Sequence, residues 1–254
     1  MMRTTPIQST PANGSLNLRI QQKCRDCPHR DEDRFCALSD SDLRLFESLK
    51  ITRVYPKGTR IFVEGQPTTG VYVLCQGRVK LSTCSSDGKI IILGIAGPGD
   101  VLGLSSVVSD VEHEATAEVV EICQVNFVPR GDFVKYIQHN PGACLSAAKQ
   151  LGRNYHAAHQ MVCSLGLSES VFVKLGKLFL NWSASHNGGN GTVRLKNSFT
   201  HEEIAEMIGT TRETVTRSLR EMRERGLVTL KGSDLIIHDK GMLCSAVGYR
   251  EVKL

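Results

Sequence analysis

Residues 200–226 read THEEIAEMIGTTRETVTRSLREMRERG, and this stretch decides the fold of the C-terminal part of the chain. Thr200 followed by Glu203 is a capping-box pattern, which predicts that a helix begins here. Gly209 ends that helix, and Thr211 precedes a second one. Two helices joined by a short turn that contains glycine are typical of a helix-turn-helix.

The residues that follow complete this unit. Gly226 ends the second helix, and residues 227–238, LVTLKGSDLIIH, predict a β-hairpin that we interpret as the wing of a winged helix domain. The inward side chains of the two helices are predicted to be Ile204, Ala205, Ile208, Val215, Leu219 and Met222.

The polar face of the second helix is rich in arginine. Arginine donates two hydrogen bonds to guanine O6 and N7, and glutamate accepts one from cytosine N4, so such residues read bases in the major groove. The alternative is a solvated helix face stabilised by pairs such as Glu213 with Arg217. We favour double-stranded DNA as the partner, with these candidate contact residues: Thr211, Arg212, Glu213, Thr216, Arg217 and Arg220.

The composition is that of a globular protein long enough for two domains. The chain has 254 residues, of which 41% are hydrophobic and 22% charged, and its net charge is +5. No apolar run approaches the roughly 18 residues that a membrane helix needs, so we expect no membrane partner. The first 22 residues lack the apolar block of a secretory signal, and we expect a cytoplasmic protein.

Residues 51–127 have the texture of a β domain. Short β-branched runs alternate with Gly and Pro at intervals of about 8 to 12 residues, which predicts an all-β sandwich or barrel. The segment 85–88, Ser-Ser-Asp-Gly, reads as a hairpin turn. Before this domain, Ser39 is the predicted cap of a short helix that runs to Leu49.

A long helix with a heptad pattern is predicted between Pro141 and Leu165. Alternating steps of four and three residues are typical of a helix that pairs with a copy of itself. The alternative is a helix that lies on the β domain, and the two are compatible because a long helix has several faces. The predicted dimer seam consists of Cys144, Ala148, Leu151, Tyr155, Ala158, Val162 and Leu165.

The order of these elements, with TRETVTRSLREMRERGLV at residues 211–228, resembles the CRP/FNR family of bacterial transcription regulators. The resemblance implies a homodimer on a two-fold symmetric operator, with RNA polymerase as a further partner. It implies an α+β fold in four parts: a flexible leader and cysteine segment at 1–38, a jelly-roll β-roll sensor domain at 39–131, a dimerisation helix at 132–166, and a winged helix-turn-helix DNA-binding domain at 167–254.

Two motifs can be compared with the family in more detail. Arg212, Glu213 and Arg217 match the three positions at which the family reads bases. Cyclic-nucleotide-binding members have Gly-Glu-Leu and then Arg-Ser or Arg-Ala, in which Glu holds the ribose and Arg the phosphate. This chain has Gly-Leu-Ser at 103–105 and Ala-Thr at 115–116, so both charged partners are absent. We expect that no cyclic nucleotide binds at the usual site.

Residues 23–36, KCRDCPHRDEDRFC, hold three of the nine cysteines. Oxygen-sensing members of the family carry a [4Fe–4S] cluster on three N-terminal cysteines and a fourth at the end of the β-roll. The resemblance implies Cys24, Cys27, Cys36 and Cys123 as candidate cluster ligands. Two alternatives stay open: a zinc ion on the first three with His29, or no metal, with gating by another small ligand or by thiol oxidation.

We expect no enzyme activity. The C-x-x-C motif precedes a β domain, whereas thiol oxidoreductases place it beside a βαβ unit. The sequence contains no H-E-x-x-H motif, P-loop or nucleophile elbow. A third class, in which the winged helix contacts a protein, is disfavoured by the arginine-rich face.

Overall fold

The computed structural model describes residues 20–21, 23–30, 34–166, 170–183, 191–196 and 199–249. Most of the predicted leader lies outside these residues, as do residues 31–33 of the cysteine segment. The helices are a 3₁₀ helix (Cys24–Asp26), α1 (Asp40–Leu49), α2 (Leu104–Ser109), α3 (Arg130–His139), α4 (Pro141–Gly166), α5 (Val171–Ser183), α6 (His201–Ile208), α7 (Arg212–Glu224) and α8 (Lys240–Ala246).

The strands form two antiparallel sheets. In the first sheet, the long strands β3 and β6 pair with each other in the order β1-β6-β3-β4, with β2 also paired to β6 and β5 also paired to β3. This confirms the predicted β-roll. The strands are β1 (Ile51–Tyr55), β2 (Arg60–Phe62), β3 (Gly70–Cys84), β4 (Ile90–Ala96), β5 (Val101–Leu102), β6 (Thr116–Pro129), β7 (Val193–Lys196), β8 (Val228–Lys231) and β9 (Asp234–Ile237).

The roll sheet is covered by apolar groups on both faces. Successive side chains of a strand point to opposite faces, and β3 follows this rule. Val71 and Val73 belong to a core shared with α1, α3 and α4. Tyr72 and Leu74 belong to a second core within the roll. We call the first face the helix side of the sheet and the second the roll interior.

The core on the helix side includes the cysteine segment, here residues 23–38. Phe35 is fully buried, and its ring centroid lies 5.9 Å from that of Phe46 in α1 and 5.9 Å from that of Phe133 in α3. Cys24 and Leu38 are buried in the same core. The described part of the segment is therefore packed onto the roll.

The range 132–166 contains two helices, where we expected a single dimerisation helix. α3 ends at His139, and α4 begins at Pro141. Proline cannot continue a helix because it lacks an N–H, but it suits the first turn. The residues of the predicted dimer seam therefore lie on α4 alone, while Ala143, Ala147 and Gln150 of α4 are buried against the rest of the protein.

The winged helix domain forms as predicted. The Thr200 side chain accepts a hydrogen bond from the Glu203 N–H, and the Glu203 carboxylate accepts one from the Thr200 N–H, so the capping box is confirmed. Gly209 ends α6 with a φ of 65°, a left-handed conformation that favours glycine. The wing hairpin β8–β9 gains a third strand, β7, in the order β7-β9-β8.

The winged helix domain contacts the roll and α4. Lys80 Nζ of β3 lies 3.4 Å from Glu203 Oε1, so the carboxylate that caps α6 also pairs with the roll. Ile95 of β4 packs against the core of the winged helix domain. Gly209 lies directly against the Leu165 side chain at the end of α4. The turn of the helix-turn-helix is thus in contact with the long helix.

The burial of Phe35 leads to a stability prediction. Phe35→Ala should lower the free energy of unfolding by about 3 to 5 kcal/mol, because it removes a fully buried ring and leaves a cavity. Leu45→Ala on the exposed side of α1 is the matched control and should cost well under half of that. Urea unfolding of both variants at one protein concentration measures the difference. Equal costs would contradict the central position of Phe35.

Candidate functional site

The exposed face of α7 presents the predicted DNA-contacting residues together. Thr211, which caps α7, and the five candidates within the helix are all exposed, whereas Val215, Leu219 and Met222 are buried beneath them. The geometry of the helix-turn-helix therefore holds one face of α7 against the domain core and leaves the arginine-rich face open to solvent. A duplex docked on this face meets the first turns of α7, as in other helix-turn-helix proteins.

The second half of α7 carries two i,i+4 ion pairs of the kind that stabilise a solvated helix face. Arg220 Nε lies 2.8 Å from Glu224 Oε1, and Arg225 lies 2.6 Å from Glu221 Oε1. Glu213 and Arg217 do not form a salt bridge with each other. Within the described ranges, Arg212 and Arg217 have no ion-pair partner, so their guanidinium groups are available to a ligand.

Thr216 is held by two hydrogen bonds. Its hydroxyl donates to the Arg212 carbonyl oxygen at 2.9 Å, as is common for threonine within a helix. His201 Nδ1, at the start of α6, lies 3.0 Å from the same hydroxyl oxygen. His201 therefore connects the two helices at the exposed surface. Sequence reasoning missed this residue, and the signal available was its position directly after the Thr200 cap.

The heptad face of α4 is open in the single chain. Tyr155 is 74% exposed and Val162 is 68% exposed, which is unusual for large apolar side chains of a folded protein. Cys144, Ala148 and Ala158 of the predicted seam are also exposed, and Leu151 and Leu165 are half-buried. The seam thus runs along α4 beside the face that packs on the roll.

A second candidate site is a small cavity at the helix side of the roll sheet. It contains four cysteine side chains, of which three come from the cysteine segment and one from β3. The lining residues are Gln21, Cys24, Cys27, His29, Cys36, Leu74, Cys75, Gly99 and Asn126. Cys75 was missed by sequence reasoning, and the cavity brings it to the three cysteines that the sequence singled out.

Polar groups surround the sulfur of Cys24. Lys50 Nζ lies 3.3 Å from Cys24 Sγ, and the side-chain amide of Asn126 lies 3.8 Å from it. The Cys24 N–H donates to Glu47 Oε1 at 2.5 Å. An ammonium group and an amide N–H favour a negatively charged sulfur over a neutral one.

Burial has the opposite effect on these thiols. It raises the pKa of Cys75 to about 12 and also raises the pKa of Cys24 and Cys36, because a thiolate loses its hydration in the cavity. For Cys24, the Lys50 ammonium partly offsets the rise in pKa. Without a cation, the buried thiols are therefore protonated at neutral pH and react slowly.

Cys123 lies apart from this cavity. It is fully buried in the roll interior with Leu74 and Val125. Its thiol donates to the carbonyl oxygens of Arg78 and Glu121, at 3.3 and 3.0 Å. Of the predicted set of Cys24, Cys27, Cys36 and Cys123, the structure brings the first three to the cavity and leaves Cys123 on the opposite side of the sheet.

The cavity supplies the thiol donors that iron-sulfur clusters and zinc ions both take. Four thiols around one space are the ligands that such clusters use. Across the described residues, no three His, Cys, Asp or Glu side chains are grouped so as to hold one metal ion. The zinc set of Cys24, Cys27, Cys36 and His29 is therefore not assembled, although all four residues line the cavity.

The residues at the positions of the cyclic-nucleotide motif contact other parts of the protein. Leu104 is buried in the helix-side core, where the family motif has the ribose-binding glutamate. Ser105 donates to Glu114 at 3.0 Å, and Thr116 Oγ1 accepts from the Glu64 N–H at 3.1 Å. In these contacts, no other side chain takes the place of the glutamate that binds the ribose or of the arginine that binds the phosphate.

Two family models match the chain. The cyclic nucleotide-binding domain matches residues 52–140, and the Crp-like helix-turn-helix domain matches residues 173–246. Together with the geometry of α7, these matches define a transcription regulator that combines a β-roll with a DNA-binding helix-turn-helix. None of the described helices is both long and apolar enough to cross a membrane.

Curated relatives cover most of the chain. The cyclic AMP receptor protein of Thermus thermophilus is 27% identical over 82% of this chain and 94% of its own length. The nitrogen fixation regulation protein FixK of Bradyrhizobium diazoefficiens is 27% identical over 82% of this chain and 86% of its own. The chain belongs to the CRP/FNR family of transcription regulators.

Solved structures agree with this fold. FixK2 from Bradyrhizobium japonicum superimposes with a TM-score of 0.69 at 20% identity, over 81% of this chain and 99% of that chain. A mutant of CooA from Carboxydothermus hydrogenoformans superimposes with a TM-score of 0.67 at 19% identity, over 79% of this chain and 88% of that chain. At these identities the likeness establishes the architecture of the roll, long helix and winged helix domain.

Proposed function

We propose that this regulator acts in the cytoplasm as a homodimer that reads a two-fold symmetric DNA operator and contacts RNA polymerase. The observation that carries the proposal is the exposed N-terminal half of α7, on which Arg212, Glu213 and Arg217 stand without ion-pair partners among the described residues. Arg212 and Arg217 match guanine, Glu213 matches cytosine, and Arg223 near the end of α7 is placed for phosphate contact.

The dimer is supported by the exposed seam on α4. Large apolar side chains that are open in the single chain become buried when two copies of α4 pair along the heptad face. Two copies related by a two-fold axis present two α7 helices, which suits half-sites one helical turn apart on the duplex. The seam and the recognition helix therefore fit the same two-fold symmetric dimer on DNA.

The signal is proposed to enter through the cysteine cavity of the roll. The contacts of Leu104, Ser105 and Thr116 disfavour a cyclic nucleotide at the usual site. The four thiols of the cavity supply the donors of a [4Fe–4S] cluster, which is the cofactor that we assign to this regulator. A bound cluster supplies a group that is sensitive to oxidants. The protein would hold it on the side of the sheet that also packs against α4.

Arginine substitutions test the reading head. On an operator selected from random duplexes, Arg217→Ala should cost on the order of 1 to 3 kcal/mol and relax the preference for one base pair. Arg223→Ala should weaken binding to all duplexes alike and reduce the salt dependence, because it removes a phosphate contact. Fluorescence anisotropy at several salt concentrations measures both effects.

The matched control is Arg44→Ala, which removes an exposed positive charge from α1, outside the winged helix domain. It should leave both affinities nearly unchanged. If Arg217→Ala and Arg223→Ala weaken specific and random DNA by the same factor, α7 does not read bases. If the wild type binds no duplex in a salt-dependent manner, the proposed function is wrong.

Charge substitutions test the seam. Val162→Asp places an uncompensated carboxylate from each copy in the paired helices and should weaken the dimer by tenfold or more, on the order of 1.4 kcal/mol or above. Lys149→Asp, an exposed position of α4 outside the seam, is the control and should leave the dimer intact. Sedimentation equilibrium distinguishes the two. A dimer that tolerates Val162→Asp would place the interface elsewhere.

A further inference from the structure

We infer that Cys75 of β3, with Cys24, Cys27 and Cys36, completes a four-thiolate site for a [4Fe–4S] cluster, and that Cys123 takes no part in it. The inference rests on the cofactor assigned above and names its fourth ligand. It is drawn from the placement of five cysteines relative to one sheet.

The alternation of side chains along β3 places Cys75 on the helix side of the sheet. Val71 and Val73 face the helix side of the sheet, and Cys75 follows in the same phase. A bulge in the pairing with β6 begins after Leu74, yet Cys75 still lines the cavity on the helix side. The strand at the centre of the roll therefore delivers a thiol to the face that the cysteine segment covers.

The alternation of side chains along β6 keeps Cys123 out of the cavity. Gln124 and Asn126 point to the helix side, where they contact Gln21 and Cys24. Cys123, in the opposite phase, must then point into the roll. Its sulfur is confined there by Gly77, at which an added Cβ would stand 2.7 Å from Cys123 Sγ. Cys123 directly precedes Gln124 in β6, so its side chain points to the opposite face of the sheet from the cavity.

The chain is anchored to the roll just before the cysteine segment and again near the C-terminal end of that segment. The Gln124 side chain makes two hydrogen bonds to the backbone of Gln21, each at 2.6 Å. At the other end, Arg34 pairs with Asp100 at 2.7 Å, and Phe35 is fully buried beside Cys36. These anchors hold the two ends of the C-x-x-C-x8-C motif on the same part of the roll.

An amide and an ammonium group lie beside the sulfur of Cys24. The Thr52 hydroxyl donates to Asn126 Oδ1 at 2.8 Å, which leaves the amide NH2 facing Cys24 Sγ. Lys50 Nζ approaches the same sulfur at 3.3 Å. Hydrogen bonds and positive charge at ligand sulfurs stabilise a bound cluster. The cavity therefore has donors placed for thiolates as well as the thiols themselves.

A cluster and a zinc ion place different demands on the spacing of four thiolates. Zinc needs four donors at about 2.0 to 2.3 Å from one point. A [4Fe–4S] cage binds each thiolate through a different iron, so its four sulfur ligands stand further apart. Among the described residues, the four thiols share one cavity, but no three His, Cys, Asp or Glu side chains are grouped so as to hold a single metal ion.

Matched alanine variants test the inference. The full-length protein is purified without oxygen, reconstituted with ferrous iron and sulfide, and assayed for visible absorption, iron and acid-labile sulfide. The wild type should bind about four iron atoms per chain. Cys75→Ala should lose the visible absorption and most of the iron. Cys123→Ala, and Cys84→Ala at the exposed end of β3, should keep both.

Loss of the cluster can be distinguished from misfolding of a variant. Far-ultraviolet circular dichroism and the salt-dependent binding of random duplex DNA show whether each variant is folded, independently of the cluster. Iron retained by folded Cys75→Ala and lost by folded Cys123→Ala would return the fourth ligand to Cys123. A wild type that is colourless, or that takes up one zinc ion in place of iron, would overturn the cluster while leaving DNA binding to stand or fall by its own assay.

Discussion

The burial of Phe35 is the interaction on which the arrangement of the sensor side depends. This ring packs between Phe46 of α1 and Phe133 of α3, and it holds the neighbouring Cys36 against the roll. A fully buried phenylalanine contributes several kcal/mol, which exceeds what the surrounding surface ion pairs supply. The cysteine segment is therefore part of the core, and the cavity of four thiols exists because that segment is packed down at Phe35.

The same core extends into the long helix. Cys24 and Phe35 share one cluster with Ala143 and Ala147 in the first turns of α4. At its far end, α4 places Leu165 against the turn between α6 and α7. The long helix thus connects the core beside the cavity with the turn that precedes the recognition helix. A change in the packing of the cysteine segment has a physical route to the dimer seam and to the DNA-reading face, provided that α4 has two stable positions.

The winged helix domain was predictable from the sequence because its signals are local. The capping box at Thr200, the left-handed turn at Gly209 and the 3.6-residue spacing in α7 each involve neighbours in the chain. The exposed heptad face of α4 is likewise a local pattern, and its role as a dimer seam stays a prediction. The contact of His201 with Thr216 was not, because it depends on the angle between two helices.

The fourth cysteine could not be predicted from local pattern. Val71 to Leu74 are all buried, so hydrophobicity does not tell which phase of β3 faces the cysteine segment. The bulges between β3 and β6 also shift the register that alternation alone would give. Cys123 alternates in phase with Val125, and both side chains lie in the roll interior. The decisive fact is which face of the sheet the N-terminal segment covers.

Hydrogen–deuterium exchange of the reconstituted protein, compared with the same protein after iron chelation, tests most directly whether the cysteine cavity and α4 share one cooperative core. We expect removal of the metal to raise exchange in residues 34–49 and in 141–151 together, while the capped helices of the winged helix domain keep their protection. A rise confined to residues 23–38, with 141–151 unchanged, would contradict the connection between the sensor segment and the dimer helix.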